Sequence, residues 1–319
     1  MLQTPPPSPV SNGVELGSSL KSSSGQAFDR KKRLSFYNRS FKVICIASAI
    51  FVCLILFTIL FFMGRTGILT FDTVSPFTFF FSSEWAPEND QYGAFIFIFG
   101  TFALTFLTML ISVPLSVIIA VFLAEMTPTW LKTMLRPVMD LLVGIPSVVY
   151  GFLGMTILIP LLRDLTGTSM GDGLLAAAIV LTIMVLPTIS RITDDAIVAV
   201  PKKYRDASYA LGSTRFQTIV RVVLPAAKSG IMYAVILGMG RAIGETMAVV
   251  MVIGNTPQLA DELFKPTSVL TSNIVMQISN VPFDSSWNYA LYMMGFLLLI
   301  ISLVMIVLVR LIQRKGVKS

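Results

Sequence analysis

The 319-residue chain is 55% hydrophobic and only 13% charged, a composition that excludes an ordinary soluble globular protein. It carries a net charge of +7 and no histidine, and its two cysteines, Cys45 and Cys53, lie in one apolar run. These features exclude histidine-based catalysis and the usual redox and zinc motifs, and the absence of any Gly-Lys dipeptide excludes a P-loop for a nucleotide.

The apolar segments predict an all-α polytopic membrane protein. Residues 1–40 are rich in Pro, Ser and Gly and end in basic residues, so we expect a disordered cytoplasmic tail there. An apolar run then begins at Phe41 and is long enough for a retained membrane anchor. The predicted transmembrane domain covers 41–312, with a basic cytoplasmic tail over 313–319. Six spans are predicted, at about 41–63, 92–124, 137–162, 174–192, 231–253 and 289–312.

A stripe of hydroxyl side chains follows one face of the second predicted span. Its members recur at spacings of three and four residues, which places them on one side of a helix. They are Thr101, Thr105, Thr108, Ser112 and Ser116. Two interpretations stay open: small hydroxyl residues that let helices pack closely, and the lining of a polar path.

The basic residues predict the orientation of the spans. With six spans both termini lie on one side, together with the loop between the second and third spans and the polar segment after the fourth. That side holds 20 of the 24 Lys and Arg residues. Since basic residues accumulate on the cytoplasmic side, we expect both termini and the central polar segment, within 193–230, to be cytoplasmic.

The central polar segment, residues 204–225, has the pattern of two short helices. Gly212 is suited to the break between them, and Ser213 or Thr214 can cap the second helix. Pro225 is expected to end that helix. The pattern alone fits a surface helical hairpin, and equally a DNA-binding helix-turn-helix, but the apolar spans on both sides exclude the second interpretation.

Two charged residues, Arg241 and Glu245, lie well inside the fifth predicted span. Each costs roughly 2.5–3.5 kcal/mol at a helix centre, so both are expected to face protein or water. Four residues apart on one helix, they are predicted to share a face. Either they form an internal salt bridge, or Arg241 meets an anionic solute, since a guanidinium gives an oxyanion several planar donors.

The central segment resembles the EAA loop of the membrane subunits of ABC importers. The match is Asp206-Ala207-Ser208, then Gly212, then Val222-Val223-Leu224-Pro225, with both internal spacings kept and with Asp, Ser and Val replacing the family's Glu, Ala and Ile. In that family the loop docks on a cytoplasmic ATPase subunit. The resemblance implies a type I (MetI-like) permease fold and a coupling role for Tyr204, Arg205, Asp206, Ala207, Ser208, Gly212, Leu224 and Pro225.

Residues 144–152 (GIPSVVYGF) and 240–248 (GRAIGETMA) resemble segments of the phosphate-import (Pst) permeases, and their PstC-type subunit more than the PstA type. This resemblance implies a bacterial inner-membrane phosphate importer with a second permease subunit, two ATPase subunits and an extracytoplasmic phosphate-binding protein. ATP would act on the partner and no cofactor on this chain. It also implies that Arg241 and Glu245 belong to the translocation path; Thr101, Thr105, Thr108 and Ser112 are weaker candidates from the stripe alone.

Other functions stay open at this point. The EAA loop fits permeases for sulfate, molybdate or phosphonate equally well, and an ion-coupled secondary transporter or channel would need no ATPase. An enzyme is not expected, because the chain shows no base in the bilayer suited to acyl or phosphoryl chemistry.

Overall fold

The computed structural model describes residues 41–167 and 170–316, with side chains up to residue 311. The expected tail over 1–40 and residues 317–319 of the basic tail lie outside the described residues. Residues up to Phe61 and residues from Phe62 onward are two compact units and are described separately. In the first unit, residues 41–61 are helical and expose their apolar side chains, as a membrane anchor would.

The described part of the chain is almost entirely helical. Its helices, in order, are α1 (Phe41–Asp72), α2 (Pro76–Phe81), α3 (Phe95–Met126), α4 (Thr129–Gly144), α5 (Ser147–Thr166), α6 (Leu174–Val198), α7 (Lys202–Ala210), α8 (Arg215–Gly244), α9 (Met247–Val252), α10 (Leu270–Gln277) and α11 (Ser286–Gly316). Six of those described, α1, α3, α5, α6, α8 and α11, are long and apolar enough to cross a membrane, which confirms the predicted number of spans.

The third span differs from the prediction of 137–162. α4 ends at Gly144, Ile145 and Pro146 are extended, and a new helix, α5, starts at Ser147. The ring of Pro146 disfavours the helical conformation of the residue before it, and Ile145 is extended, so the helix is broken here. The span is therefore α5, and the first part of the predicted span belongs to the separate helix α4.

The fifth span also differs from the prediction of 231–253, because α8 begins at Arg215 and ends at Gly244. The prediction that Pro225 ends a helix is wrong. A wide π turn over Ile219–Val223 comes first, in which the Leu224 N–H bonds to the Ile219 carbonyl. Because the hydrogen-bond ladder is already shifted there, a proline without an N–H fits into the continuing helix.

Helix α6 is the centre of the packed interior. It packs against α3 on one side and α8 on another, and the side chains of Leu181, Met184 and Ile189 are fully buried. Gly238 allows α8 to approach, since a Cβ atom there would lie 2.5 Å from Ile189 Cδ1. α6 runs to Val198, past the predicted end at 192, so its last two turns carry charged residues.

A second apolar cluster joins the residues between α1 and α3 to α3, α10 and α11. A two-stranded antiparallel hairpin, β1 (Trp85–Ala86) and β2 (Gln91–Tyr92), brings the Trp85 ring 5.3 Å from the Phe97 ring, edge to face. Burial, with help from Asp90, raises the pKa of Tyr92 to about 12. The residues between α1 and α3 therefore fold into a small cap rather than an open loop.

Candidate coupling surface and translocation site

The turn between α7 and α8 presents large apolar side chains to solvent. Leu211 is 87% exposed and Phe216 is 71% exposed, and Tyr204 and Tyr209 are exposed beside them. Asp206 and Ala207 are also exposed on α7. Exposed apolar groups gathered in this way typically mark a protein–protein contact, so we define these residues of α7 and the turn as the candidate coupling surface.

The shape of this turn is set by Gly212 and Thr214. Gly212 has a φ of +80°, in the left-handed region that favours glycine. Of the two predicted caps, Thr214 is the one used: its hydroxyl accepts from the Gln217 N–H while the Gln217 side chain accepts from the Thr214 N–H. This capping box fixes where α8 begins.

Two residues assigned to the coupling segment face inward instead. Both Arg205 Nε and Nη2 donate to Glu125 Oε1, at 3.0 and 2.7 Å, and the same guanidinium donates to the carbonyls of Ile197 and Val200. Ser208 is buried and shares a 2.9 Å hydrogen bond with Thr218. Arg205 and Ser208 therefore anchor α7 to the membrane helices, while their neighbours are available to a partner. Farther along, Leu224 is half-buried and Pro225 is exposed.

Sequence reasoning missed Glu125. It lies in the π turn that ends α3, and besides Arg205 it receives Arg215, which donates to its backbone carbonyl. The signal was present, since Glu125 is an acidic residue on the side where basic residues predominate. Glu125 links the coupling surface directly to a membrane span.

The structure separates Arg241 from Glu245. Arg241 is half-buried on α8, and its Nη1 donates to Thr188 Oγ1 of α6 at 3.0 Å. The helix ends at Gly244, and Glu245 is extended, with its carboxylate accepting from the Ala248 N–H of α9. The prediction that both lie on one helical face is therefore wrong, and among the described residues they form no ion pair.

The hydroxyl stripe on α3 lies in the packed interior. All five members are buried, and Thr101 bridges the Phe97 carbonyl and the Leu270 N–H of α10. Thr105 bonds within its own helix, and Ser116 donates to the Leu186 carbonyl of α6. Thr108 and Ser112 are buried without a described hydrogen-bond partner. This placement favours the packing interpretation over an open path within the subunit.

A cluster of five charged residues joins α4 to the C-terminal end of α6, and sequence reasoning did not find it. Its members are Arg136, Asp140, Arg191, Asp194 and Asp195. Asp194 is fully buried and takes two bonds from Arg136, Nε to Oδ2 at 2.8 Å and Nη2 to Oδ1 at 3.1 Å. Arg191 Nε contacts Asp140 at 3.0 Å, and its Nη1 contacts Asp195 at 2.6 Å. The predicted third span joined part of α4 and most of α5 in one helix. That prediction did not place Arg136 and Asp140 beside α6.

The family model and the similar proteins all describe membrane subunits of transport systems. Residues 112–317 match the family model described as the inner membrane component of binding-protein-dependent transport systems. The chain is 46% identical to the probable ABC transporter permease protein YqgH of Bacillus subtilis, over 78% of this chain and 82% of that protein. It is 37% identical to the phosphate transport system permease protein PstC of Xylella fastidiosa, over 73% of this chain and 78% of that protein.

A solved structure supports the same fold. The chain is similar to a bacterial ABC transporter involved in import of the acidic polysaccharide alginate, with a TM-score of 0.57 and 14% identity, over 87% of this chain and 98% of that one. Six apolar helices and the matched region together indicate the fold of a type I ABC importer permease. The chain therefore belongs to the binding-protein-dependent transport system inner membrane component family, as a multi-pass, non-enzymatic permease of an ABC importer.

Proposed function

We propose that this chain is the PstC-type permease subunit of an ATP-driven phosphate importer, forming half of the translocation path. The support comes from relatives that are named phosphate permeases over most of this chain's length, and from a guanidinium inside a membrane span. Arg241 is the observation that carries the proposal, because a cation in an apolar helix favours an anionic solute.

The coupling surface receives the ATPase. Four large side chains are exposed on α7 and around the turn that follows it, on the side where basic residues are concentrated: Tyr204, Tyr209, Leu211 and Phe216. The chain has no P-loop, so the ATPase is a separate subunit. These exposed side chains are buried when that subunit binds. Movement of α7 passes through the Arg205–Glu125 contact to α3 and so to the spans.

The path lies between this chain and a second permease subunit. Arg241 is followed on α8 by Gly244, and a Cβ atom built at Gly244 would meet no described atom within 4 Å. Gly240 is similarly open, with Ile306 Cδ1 at 3.9 Å. This glycine face of α8 beside Arg241 leaves room for a neighbouring helix to approach closely.

The distribution of basic residues indicates which side of the membrane each part of the chain faces. Both termini and the coupling surface are cytoplasmic, because that side carries most of the basic residues. The opposite side, with the hairpin cap and the loop before α10, receives phosphate from an extracytoplasmic binding protein. ATP is bound and hydrolysed on two ATPase subunits.

Uptake into proteoliposomes tests the proposal. The chain is purified with its second permease and ATPase, reconstituted, and supplied with the binding protein, radiolabelled phosphate and internal or external ATP. We expect uptake only with ATP on the ATPase side, and competition by phosphate but not by sulfate or molybdate. Uptake driven by an ion gradient without ATP would contradict an ABC mechanism, and transport of sulfate alone would contradict the substrate.

A further inference from the structure

The charged cluster at the C-terminal end of α6 contains one buried carboxylate, Asp194, and an exposed group. Asp194 has a side chain that is 0% exposed and is held by Arg136, so that pair fixes α4 against α6. Arg191 is 30% exposed; besides a 3.4 Å contact with Asp194 it pairs with Asp140 and Asp195, which are 56% and 63% exposed. Asp140 and Asp195 can therefore release Arg191, whereas Asp194 cannot lose Arg136 without leaving a charge in the interior.

Arg191 lies on the same face of α6 as the contact of Arg241. Thr188, Arg191 and Asp195 are spaced i, i+3 and i+7, and all three are at least partly exposed. Thr188 holds Arg241 at 3.0 Å, and Arg191 follows about 4.5 Å farther along the helix axis. One face of α6 thus carries Arg191 and, one turn before it, the Thr188 hydroxyl that accepts from Arg241 of α8.

A polar face of this kind does not suit lipid. Arginine and aspartate in a membrane span face protein or water, because each is costly in hydrocarbon. Arg241 bonds to Thr188 on this face, so the face and Arg241 are neighbours. Moving from Arg241 toward the cytoplasm, an anion meets Arg191 next.

The partners of Arg191 suit temporary rather than permanent occupation. Exposed ion pairs contribute only about 0–1 kcal/mol, so an oxyanion can replace Asp140 or Asp195 at little cost. Asp194 lies 3.4 Å from Arg191 Nη1 and is also held by Arg136, so an anion does not displace it and its negative charge opposes long residence. Conduction needs this balance, in which binding permits entry and remains weak enough for release.

We propose that Arg191 is a second anion-contacting residue on the cytoplasmic side of Arg241, with Asp140 and Asp195 as counter-ions that it exchanges for the passing oxyanion. This inference rests on the proposed function and extends it by naming the exit step. The competing explanation is that Arg191 only ties α4 to α6.

Two variants separate these explanations in the reconstituted complex. Arg191→Gln removes the cation, and the double variant Asp140→Asn/Asp195→Asn removes the tie between α4 and α6 and the pair with Asp195 within α6 but keeps the cation. An anion contact predicts at least about a tenfold fall in phosphate uptake for Arg191→Gln and uptake within about twofold of wild type for the double variant. Arg191→Lys retains the charge and should lie above Arg191→Gln. Arg163→Gln, at an exposed arginine on α5, is the matched control and should transport as wild type.

A purely structural tie predicts that both variants lose uptake equally, and that outcome overturns the inference, as does wild-type uptake by Arg191→Gln. If Arg191→Gln does not copurify with the ATPase, the other two variants provide the test. Loss of uptake in the double variant rejects the anion contact, and uptake by both the double variant and Arg191→Lys supports it. Failure of the wild-type complex to take up phosphate would instead reject the proposed function, so the two failures are distinguishable.

Discussion

At the scale of single residues, Asp194 is the most demanding position in the described part of the chain. Its carboxylate is wholly buried, and its charge is balanced by Arg136 at 2.8 Å, with Arg191 Nη1 at 3.4 Å. Removing one partner of a buried pair leaves an uncompensated charge, which costs about 3–5 kcal/mol.

We therefore expect Asp194→Asn to lower the thermal midpoint of the purified complex in detergent by several degrees. Asp164→Asn, at an exposed carboxylate on α5, is the control and should leave the midpoint unchanged. Equal midpoints for the two variants would show that the Arg136–Asp194 pair does not stabilise the subunit.

Gly212 gives a second prediction at this scale. A Cβ atom at this position would touch no described atom within 4 Å, so the cost of substitution comes from its φ of +80° and not from a clash. A β-branched residue at such a φ is strained by roughly 1–2 kcal/mol or more. We expect Gly212→Val to distort the turn and to uncouple ATP hydrolysis from uptake.

Gly212→Asn is the matched control, because asparagine tolerates the left-handed region. Its uptake per ATP hydrolysed, measured in the same vesicles, should exceed that of Gly212→Val. Tight coupling in Gly212→Val would remove the turn from the coupling mechanism.

At the scale of helices, we propose that the contact between α7 and α3 transmits the movement of α7 to the membrane spans. Arg205 and Glu125 are 16% and 11% exposed, and both nitrogens of the guanidinium fork reach one carboxylate oxygen. Mostly buried, charge-assisted bonds of this kind are worth about 1.5–3 kcal/mol.

A double-mutant cycle tests this link. Glu125→Gln and Arg205→Gln should each reduce ATP-driven uptake, and the double variant should lose less than the sum of the two effects on a logarithmic scale. The readout is the uptake rate at matched ATPase content. Strict additivity would mean that the two side chains act independently.

The helices also show what local sequence could and could not predict. Apolar runs predicted the number of spans, and Gly212 predicted the turn between α7 and α8. Both predictions depend on short-range sequence patterns. The ion pairs between α4 and α6 and between α3 and α7 join residues that are distant in the sequence. The roles of Asp194 and Glu125 could therefore not be predicted from residue spacing. Hydropathy also hid the breaks at Pro146 and Gly244, since the residues around each break stay apolar.

At the scale of the whole molecule, the charge distribution predicts the orientation. In a variant without Cys45 and Cys53, a cysteine at Glu88 in the hairpin cap should react with a membrane-impermeant maleimide in intact spheroplasts. A cysteine at Phe216, on the coupling surface, should react only after permeabilisation. The reverse labelling would invert the proposed topology.

The central claim is that an anion crosses the membrane past the guanidinium of Arg241. The most direct measurement is ATP-driven phosphate uptake by proteoliposomes that contain the Arg241→Gln complex, compared with wild type at equal amounts of bound ATPase. We expect loss of most uptake while the ATPase still copurifies, because the coupling surface lies on a different part of the chain. Uptake at the wild-type rate would contradict it and would leave Arg241 a packing residue held by Thr188.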